Sequence, residues 1–211
     1  MLINDSLKDY IIKVSSASPT PGGGSVAAAT ASLGVALSQM VYNLTIGRKF
    51  YEEYDDDVKD EINEGINICN RLLNDYIALI DEDTAAYDEV MKAIKLPKNS
   101  DEEKVKRTEQ LQKAYINAMN VPLKLARLCG DAFTPTMLIS EYGNPNAVSD
   151  AAVGAILLYA AMESAILNVR VNIPYIKDKE ITDKANKECD NLLGKYKDIR
   201  DEIVNSVVNK F

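Results

Sequence analysis

The sequence predicts an all-α protein, a single-domain, up-and-down bundle of long helices over residues 1–211 that assembles as a dimer. Gly and Pro, which most often interrupt helices, number 10 and 7 among 211 residues, or about 8% against a usual share of about 12%. Hydrophobic residues make up 46% of the chain, enough for a sizeable core at this length. Apolar residues recur at helical spacing, and no segment shows the alternation of a strand.

Six or seven helices are expected, and proline and polar turns set their limits. Their approximate bounds are residues 4–17, 25–46, 51–96, 101–120, 149–172 and 181–210, and a seventh would begin at Pro122. A Pro-Gly loop ends the first helix, which is amphipathic. The third is very long because no proline occurs between Pro21 and Pro97, although a bend near Gly65 is expected.

Capping residues and prolines define the second half of the chain. Ser100 is the expected N-cap of the fourth helix. Pro122 either kinks that helix or begins the next one. A polar loop at residues 142–146 precedes a mostly uncharged helix, which Pro174 closes. The last helix is charged and amphipathic, so one side of it is expected to face solvent.

Residues 14–47 carry no charge. A helix that is apolar on all sides is buried in a membrane or in protein, and the charged remainder of the chain favours protein. Small residues spaced for close helix contact are Ala27, Ala31, Gly34 and Ser38. The bulky residues are Val26, Leu33, Leu37, Met40, Val41 and Leu44. Because one layer of helices does not cover both sets, we expect a homo-oligomer, most simply a two-fold homodimer.

The composition argues against several classes of function. A formal charge of −8 disfavours nucleic acid and anionic membranes as partners. The chain has no histidine, which removes imidazole bases and zinc sites built on imidazole. Three cysteines without a CxxC pair indicate reduced thiols and a cytoplasmic protein. Proton transfer therefore depends on Asp, Glu, Lys, Tyr, Cys or the substrate itself.

Asp83 is the one acid on an otherwise apolar side of the predicted long helix. That side consists of Ile62, Ile66, Cys69, Leu73, Tyr76, Ile80, Asp83, Tyr87, Val90 and Ile94. A buried carboxylate needs a partner or a raised pKa, and such a group is a candidate general acid or base. The alternative is a purely structural bond to a neighbouring helix end or lysine.

The mostly uncharged helix at residues 149–172 also has a single acid on one of its faces. Glu163 is the only acid on a face that also carries Arg170 two turns later, about 10 Å along the axis. Asn168 and Asn172 form a second polar face, which could bind a heterocycle or bridge helices. For Glu163 and Arg170 the alternative is ion pairing that only supports the fold.

Two loops precede these buried helices. The first ends in Gly22, Gly23, Gly24 and Ser25, where a helix N-terminus favours an anion or an oxygen atom. It is neither a Walker motif nor a dinucleotide fingerprint. The second loop contains Asn144 and Asn146 and leads to Asp150, which could act in catalysis or cap the helix.

Four sequence blocks together resemble the formiminotransferase-cyclodeaminase C-terminal domain family. They are SPTPGGGSVAA at 18–28, DEDTAAY at 81–87, GNPNAVSD at 143–150 and NVRVN at 168–172. The resemblance implies an all-helical dimer that acts on a tetrahydrofolate derivative without a metal or another cofactor. It places formiminotetrahydrofolate cyclodeaminase first, which forms 5,10-methenyltetrahydrofolate and ammonia. Methenyltetrahydrofolate cyclohydrolase is the alternative, and a non-enzymatic helical interaction module is a remote one.

The charged residues on apolar helix faces and the four blocks that resemble the family indicate the same set of site residues. The candidate catalytic acids are Asp83, Asp150 and Glu163, with Asp83 first. The candidate substrate-binding residues are Gly22, Gly23, Gly24, Ser25, Asn144, Asn146, Asn168 and Arg170. Folate carries a glutamate carboxylate, for which Arg170, a lysine or the N-terminal end of the glycine-loop helix is a candidate partner.

Overall fold

Helices dominate residues 1–210, the part of the chain that the computed structural model describes, and no strand occurs among these residues. They are α1 (Leu7–Val14), α2 (Gly23–Thr45), α3 (Lys49–Glu52), α4 (Asp56–Ile94), α5 (Asp101–Asp131), α6 (Phe133–Tyr142), α7 (Val148–Asn172) and α8 (Lys179–Val208). Single 3₁₀ turns occupy Leu2–Asn4 and Ile173–Tyr175. The predicted all-α class is confirmed.

Four long helices form the centre of the bundle. Helices α2, α4, α5 and α7 pack in a ring, each against the next, while α6 and α8 lie outside it against α7. The core takes buried residues from all of these helices. The apolar side of α4 faces this core, as predicted: Ile62, Cys69 and Tyr76 are fully buried.

The predicted helix at residues 51–96 is two helices, α3 and α4, with a turn between them. Tyr54, in that turn, packs edge-on against Tyr142 with ring centroids 5.7 Å apart and donates to the Tyr142 carbonyl. Because this contact joins residues far apart in the chain, the spacing of apolar residues could not predict the turn. Gly65 gives space to another side chain, because a Cβ there would overlap the Tyr42 hydroxyl.

Helix α5 continues through Pro122, so the expectation that Pro122 begins a new helix is wrong. Proline has no N–H, and the carbonyl four residues earlier therefore loses its usual helical partner. That carbonyl belongs to Ala118, and Asn172 Nδ2 of α7 donates to it at 3.1 Å. The side chain of Asn172 thus replaces the backbone donor that the Ala118 carbonyl loses because of the proline.

The small residues of α2 allow α7 to approach closely, as predicted. Ala27, Ala31, Gly34 and Ser38 are all buried. At the closest point Gly34 faces Gly154, and a Cβ on either would come within 3.0 Å of the other's carbonyl oxygen. The partner of this surface is therefore a helix of the same chain.

Gly154→Ala is expected to lower the free energy of unfolding by about 1–3 kcal/mol, because the added methyl overpacks the α2–α7 contact. The matched control is Gly194→Ala on α8, where an added Cβ meets no atom within 4 Å. That change is expected to raise stability by about 0.5–1 kcal/mol through helix propensity. Denaturant unfolding of both variants measures the difference, and equal effects would contradict a close contact at Gly154.

The bulky residues of α2 are only partly covered, since two of the six are exposed and three are half-buried. Val41 is fully buried, but Leu33 is 62% exposed and Met40 is 38% exposed. Helix α2 and the segment Val148–Tyr175 are long and apolar enough to cross a membrane, yet 50% and 56% of their most apolar windows are buried in protein. Core helices of soluble proteins share these properties, so length and composition are weak evidence for a span.

Candidate active site

A cavity of about 410 Å³ lies where the loop before α2, the C-terminal half of α4, α5 and the end of α7 meet. Its size suits a small organic ligand. The polar lining includes Asp83, Asn168 and Asn172, and the rest is mainly apolar or aromatic. A larger cavity of about 630 Å³ lies between α4 and α5 and contains none of the predicted site residues.

Asp83 is half-buried at the edge of this cavity. Its Oδ2 accepts a hydrogen bond from the Ser25 N–H at 3.0 Å, in the first turn of α2. Burial raises the pKa of the Asp83 carboxyl above its usual value, and the Ser25 N–H opposes this shift only in part. A carboxyl that accepts and releases a proton closer to neutral pH suits general acid–base chemistry.

Two of the glycines bring the backbone of α2 against side chains of the cavity. A Cβ on Gly24 would overlap the Asp83 carboxylate. A Cβ on Gly23 would lie 3.2 Å from Asn168 Nδ2. Gly22 is the N-cap residue of α2. The first two residues of α2 therefore lie against Asn168 and Asp83, and both side chains line the same cavity.

Ser25 is fully buried, and its side chain has a partner that the sequence did not indicate. The Tyr10 hydroxyl of α1 and Ser25 Oγ form a hydrogen bond of 3.0 Å. Burial raises the pKa of the Tyr10 phenol, although its bond to Ser25 opposes the shift. Tyr10 lies on a helix with no buried residue, so no burial pattern in the sequence could reveal it.

The C-terminal end of α7 supplies two amides. Asn168 Nδ2 donates to the Ser164 carbonyl at 2.8 Å. Asn172 Nδ2 donates to the Asn168 carbonyl at 2.8 Å as well as to that of Ala118. Both asparagines line the cavity, so the site includes Asn172 together with the predicted Asn168.

An aromatic pair forms one wall of the cavity. Tyr115 of α5 and Tyr175 stack with ring centroids 4.8 Å apart and an interplanar angle of 12°. Tyr87 lines the same cavity one turn after Asp83 on α4. The sequence indicated Tyr87 through its block and its stripe, but it gave no signal for the other two, which are 60 residues apart.

The second loop lies far from this cavity within the same chain. Asp150 and Asn168 are 18 residues apart on α7, which is about 27 Å at 1.5 Å per residue. Asn144 ties the loop to α2, with its N–H donating to Thr45 Oγ1 and its side chain to the Leu44 carbonyl. Asn146 is exposed and donates its N–H to Asn144 Oδ1. One chain therefore does not bring these residues to Asp83.

Glu163 and Arg170 lie on the exposed side of α7. The apolar face predicted to carry them is only partly buried: Tyr159 and Ile166 are buried, but Ile156 is 44% exposed. Helix α7 is apolar nearly all round, so periodicity could not select its inner face. Arg170 pairs with Asp190 of α8 at 2.6 Å. Neither residue lines the cavity that contains Asp83.

No group of three or more Cys, Asp or Glu side chains within residues 1–210 is arranged to hold a metal ion. The functional groups in the cavity are a carboxyl with a raised pKa, amides and phenols. This set can transfer protons, stabilise positive charge and bind an aromatic ring.

Comparisons with known proteins agree on one family. The formiminotransferase-cyclodeaminase family model matches residues 6–191. A methenyltetrahydrofolate cyclohydrolase of Methylorubrum extorquens is 38% identical over 98% of both chains. A formimidoyltransferase-cyclodeaminase of Gallus gallus is 32% identical over 93% of this chain, which spans only 36% of that relative.

The fold leads to the same family. The crystal structure of a formiminotetrahydrofolate cyclodeaminase from Thermotoga maritima superposes with a TM-score of 0.81 at 27% identity. The match covers 100% of this chain and 97% of that one. Together with the sequence relatives, it shows that the chain belongs to the formiminotransferase-cyclodeaminase family of folate enzymes.

Proposed function

We propose that this protein is a methenyltetrahydrofolate cyclohydrolase, which adds water to 5,10-methenyltetrahydrofolate to form 10-formyltetrahydrofolate. The supporting observation is the 38% identity to a cyclohydrolase over 98% of both chains. The motifs placed cyclodeaminase first, whereas this full-length similarity favours the alternative. A soluble folate substrate and three buried cysteines outside any disulfide suit the cytoplasm as the place of action.

Asp83 is the acid–base group in this proposal. Its carboxylate takes a proton from water as the water oxygen bonds to the methenyl carbon, which gives a tetrahedral intermediate. As the bond from that carbon to N5 breaks, N5 takes a proton from the Asp83 carboxyl. The hydroxyl oxygen becomes the formyl oxygen, and its proton passes to solvent water, so that one proton is released overall. Negative charge on Asp83 also stabilises the cationic amidine of the substrate.

Cyclodeamination is the second candidate, and one observation favours it. The Thermotoga maritima protein is a formiminotetrahydrofolate cyclodeaminase, and this chain covers 97% of it. In that reaction N10 attacks the formimino carbon, Asp83 takes the N10 proton, and the amino group leaves as ammonia after it gains a proton. Both reactions pass through a tetrahedral carbon between N5 and N10, so one carboxyl serves either of them.

Incubation of purified protein with each folate tests the two functions. The proposed cyclohydrolase consumes 5,10-methenyltetrahydrofolate, so the methenyl absorbance falls faster than it does without enzyme. A cyclodeaminase produces methenyl absorbance and ammonia from 5-formiminotetrahydrofolate. Asp83→Asn controls for contaminating activity. Rapid turnover of the formimino substrate alone would replace the proposal by the second candidate, and no turnover of either would support a binding module.

We also propose that the protein is a homodimer that pairs through the outer side of α7. This side exposes Val153 (45%), Ile156 (44%) and Leu167 (67%). Val153 and Leu167 lie seven residues before and after Ala160. A two-fold axis at Ala160 therefore brings Val153 of each subunit towards Leu167 of the other, with the small residue at the crossing point.

The mass of the protein in solution is expected to be that of a dimer at micromolar concentration. Ala160→Glu is expected to give monomers, because it places two like charges at the two-fold axis. Asn191→Glu, which adds the same charge at an exposed position of α8, is expected to leave the dimer intact. A monomeric wild-type protein, or a dimer unaffected by Ala160→Glu, would contradict this arrangement.

A further inference from the structure

The side-chain amide of Asn172 has one available hydrogen-bonding atom. An amide nitrogen carries two hydrogens, and Asn172 Nδ2 donates to the carbonyls of Asn168 at 2.8 Å and Ala118 at 3.1 Å. Within residues 1–210 no donor bonds to its Oδ1. Because Asn172 lines the cavity, it offers a ligand an acceptor only.

The orientation of this amide follows from chemistry. Both of its partners are carbonyl oxygens, which can only accept, so the nitrogen must face them. One partner, the Ala118 carbonyl, is available because Pro122 lacks the N–H that would bond to it in a helix. Pro122 in α5 therefore helps to direct the acceptor of Asn172.

Asn168 offers both kinds of group. Its Nδ2 uses one hydrogen on the Ser164 carbonyl at 2.8 Å, which leaves one N–H and the Oδ1 atom for a ligand. It lies one helical turn before Asn172, and residues at this spacing are about 5–6 Å apart. In combination, the two side chains present one donor and two acceptors to the cavity.

We propose that Asn168 and Asn172 bind the 2-amino-4-oxopyrimidine edge of the substrate's pterin ring. That edge presents a carbonyl oxygen, a ring N–H and an exocyclic amino group in a row, which complements one donor followed by two acceptors. The Asn168 amide pairs with the carbonyl and the ring N–H, and Asn172 Oδ1 accepts from the 2-amino group. This assignment rests on the folate function proposed above and adds the edge by which the ring is recognised.

The same assignment orients the reacting atoms. Gly23 lies against Asn168, and the next residue, Gly24, lies against Asp83. In a pterin N5 is the neighbour of the C4 carbonyl, so a ring whose carbonyl pairs with Asn168 has N5 on that same side, beside the Gly23–Gly24 backbone against which Asp83 lies. The stacked pair Tyr115 and Tyr175 belongs to the apolar remainder of the cavity, which suits the aryl group beyond N10.

Ligands altered at single atoms test the assignment, with dissociation constants of tetrahydrofolate and its 2-desamino analogue measured by calorimetry. Wild-type protein is expected to bind the analogue about tenfold more weakly, because Asn172 Oδ1 is then left without a donor. Asn172→Leu is expected to bind the two ligands equally. Equal binding by wild type, or a tenfold ratio that persists in Asn172→Leu, would overturn the role of Asn172.

Asn168→Leu provides a second variant that is expected to fold, because the Ser164 carbonyl keeps its helical partner. The matched ligand is the 4-amino-4-deoxy analogue, which replaces the carbonyl acceptor by an amino donor and the ring N–H by an unprotonated nitrogen, so that both groups expected to pair with Asn168 are reversed. Wild type is expected to disfavour it about tenfold, and Asn168→Leu is expected to lose that preference. The control is Asn74→Leu on α4, where Asn74 Nδ2 makes the same kind of contact with the Asn70 carbonyl on an exposed surface.

The results separate this inference from the proposed function. Turnover of either folate by wild type, combined with no discrimination between the analogues, overturns the inference and leaves the function standing. Discrimination that the asparagine variants lose supports the inference even when wild type turns over neither folate. If wild type binds no tetrahydrofolate at all, both are overturned.

Discussion

Replacing Asp83 by asparagine is expected to lower kcat by about 10²–10⁴-fold, the usual effect of removing a positioned acid–base group. The amide keeps the oxygen that accepts from the Ser25 N–H, so shape and substrate affinity change little. Wild-type kcat is expected to fall as the pH drops through the raised pKa of Asp83, because the base becomes protonated. Steady-state kinetics across a pH series measures both effects.

The same variant is expected to be as stable as the wild type or more stable at neutral pH. Burial raises the pKa of Asp83 in the folded protein, so the folded state favours the protonated acid. Ionisation of the buried carboxyl lowers the free energy of unfolding as the pH rises through that pKa. This loss of stability is absent at a pH below the ordinary pKa of a carboxyl group. Asparagine avoids this cost, and its advantage in Tm should disappear in acid.

Thermal unfolding and turnover of Asp83→Asn must be read together. Near-normal turnover with a marked loss of Tm would show that Asp83 is structural. Asp150 and Glu163 would then be the next acids to test. Because these two lie away from the cavity of their own chain, such a result would also call for a site that includes a partner subunit.

Gly24→Ala is expected to reduce kcat by about 10²-fold. The added Cβ would overlap the Asp83 carboxylate, with Oδ2 only 2.8 Å away, so the acid must move and lose its bond to Ser25. A displacement of about 1 Å costs roughly this much in a positioned site.

Gly23→Ala is the matched control for this change. Its Cβ would lie 3.2 Å from Asn168 Nδ2, so we expect a rise in KM for the folate with a smaller effect on kcat. Turnover kinetics of both variants, together with their Tm values, checks the contrast. Equal kcat values for Gly24→Ala and wild type would show that the loop does not position Asp83.

The sequence predicted what depends on local pattern. A strict spacing of three and four residues identified the inner side of α4 and singled out Asp83 within it. The row of small residues in α2 predicted a close helix contact, which Gly34 and Gly154 provide. In both helices a residue differs in size or polarity from the other residues on the same side, and the pattern of apolar residues shows which side faces inward.

The remaining features depend on contacts between distant segments. Helix α7 is apolar on nearly every side, so its pattern could not show that Glu163 itself is exposed. The sequence blocks around Asn144 and Asn168 were expected to meet, but they lie at opposite ends of the same helix. Tyr10 reaches Ser25 from a helix without buried residues, and such a contact has no periodicity.

Pro122 affects both the stability of helix α5 and the selectivity of the cavity for its ligand. Pro122→Ala would restore the N–H that bonds to the Ala118 carbonyl and raise helix propensity by up to about 3 kcal/mol. Asn172 would then compete for that carbonyl, and its amide would be able to turn. Replacing this proline to stabilise the helix would therefore weaken the discrimination between pterins, although Pro122 itself does not line the cavity. The missing N–H of Pro122 lowers the stability of α5 and at the same time fixes the orientation of Asn172.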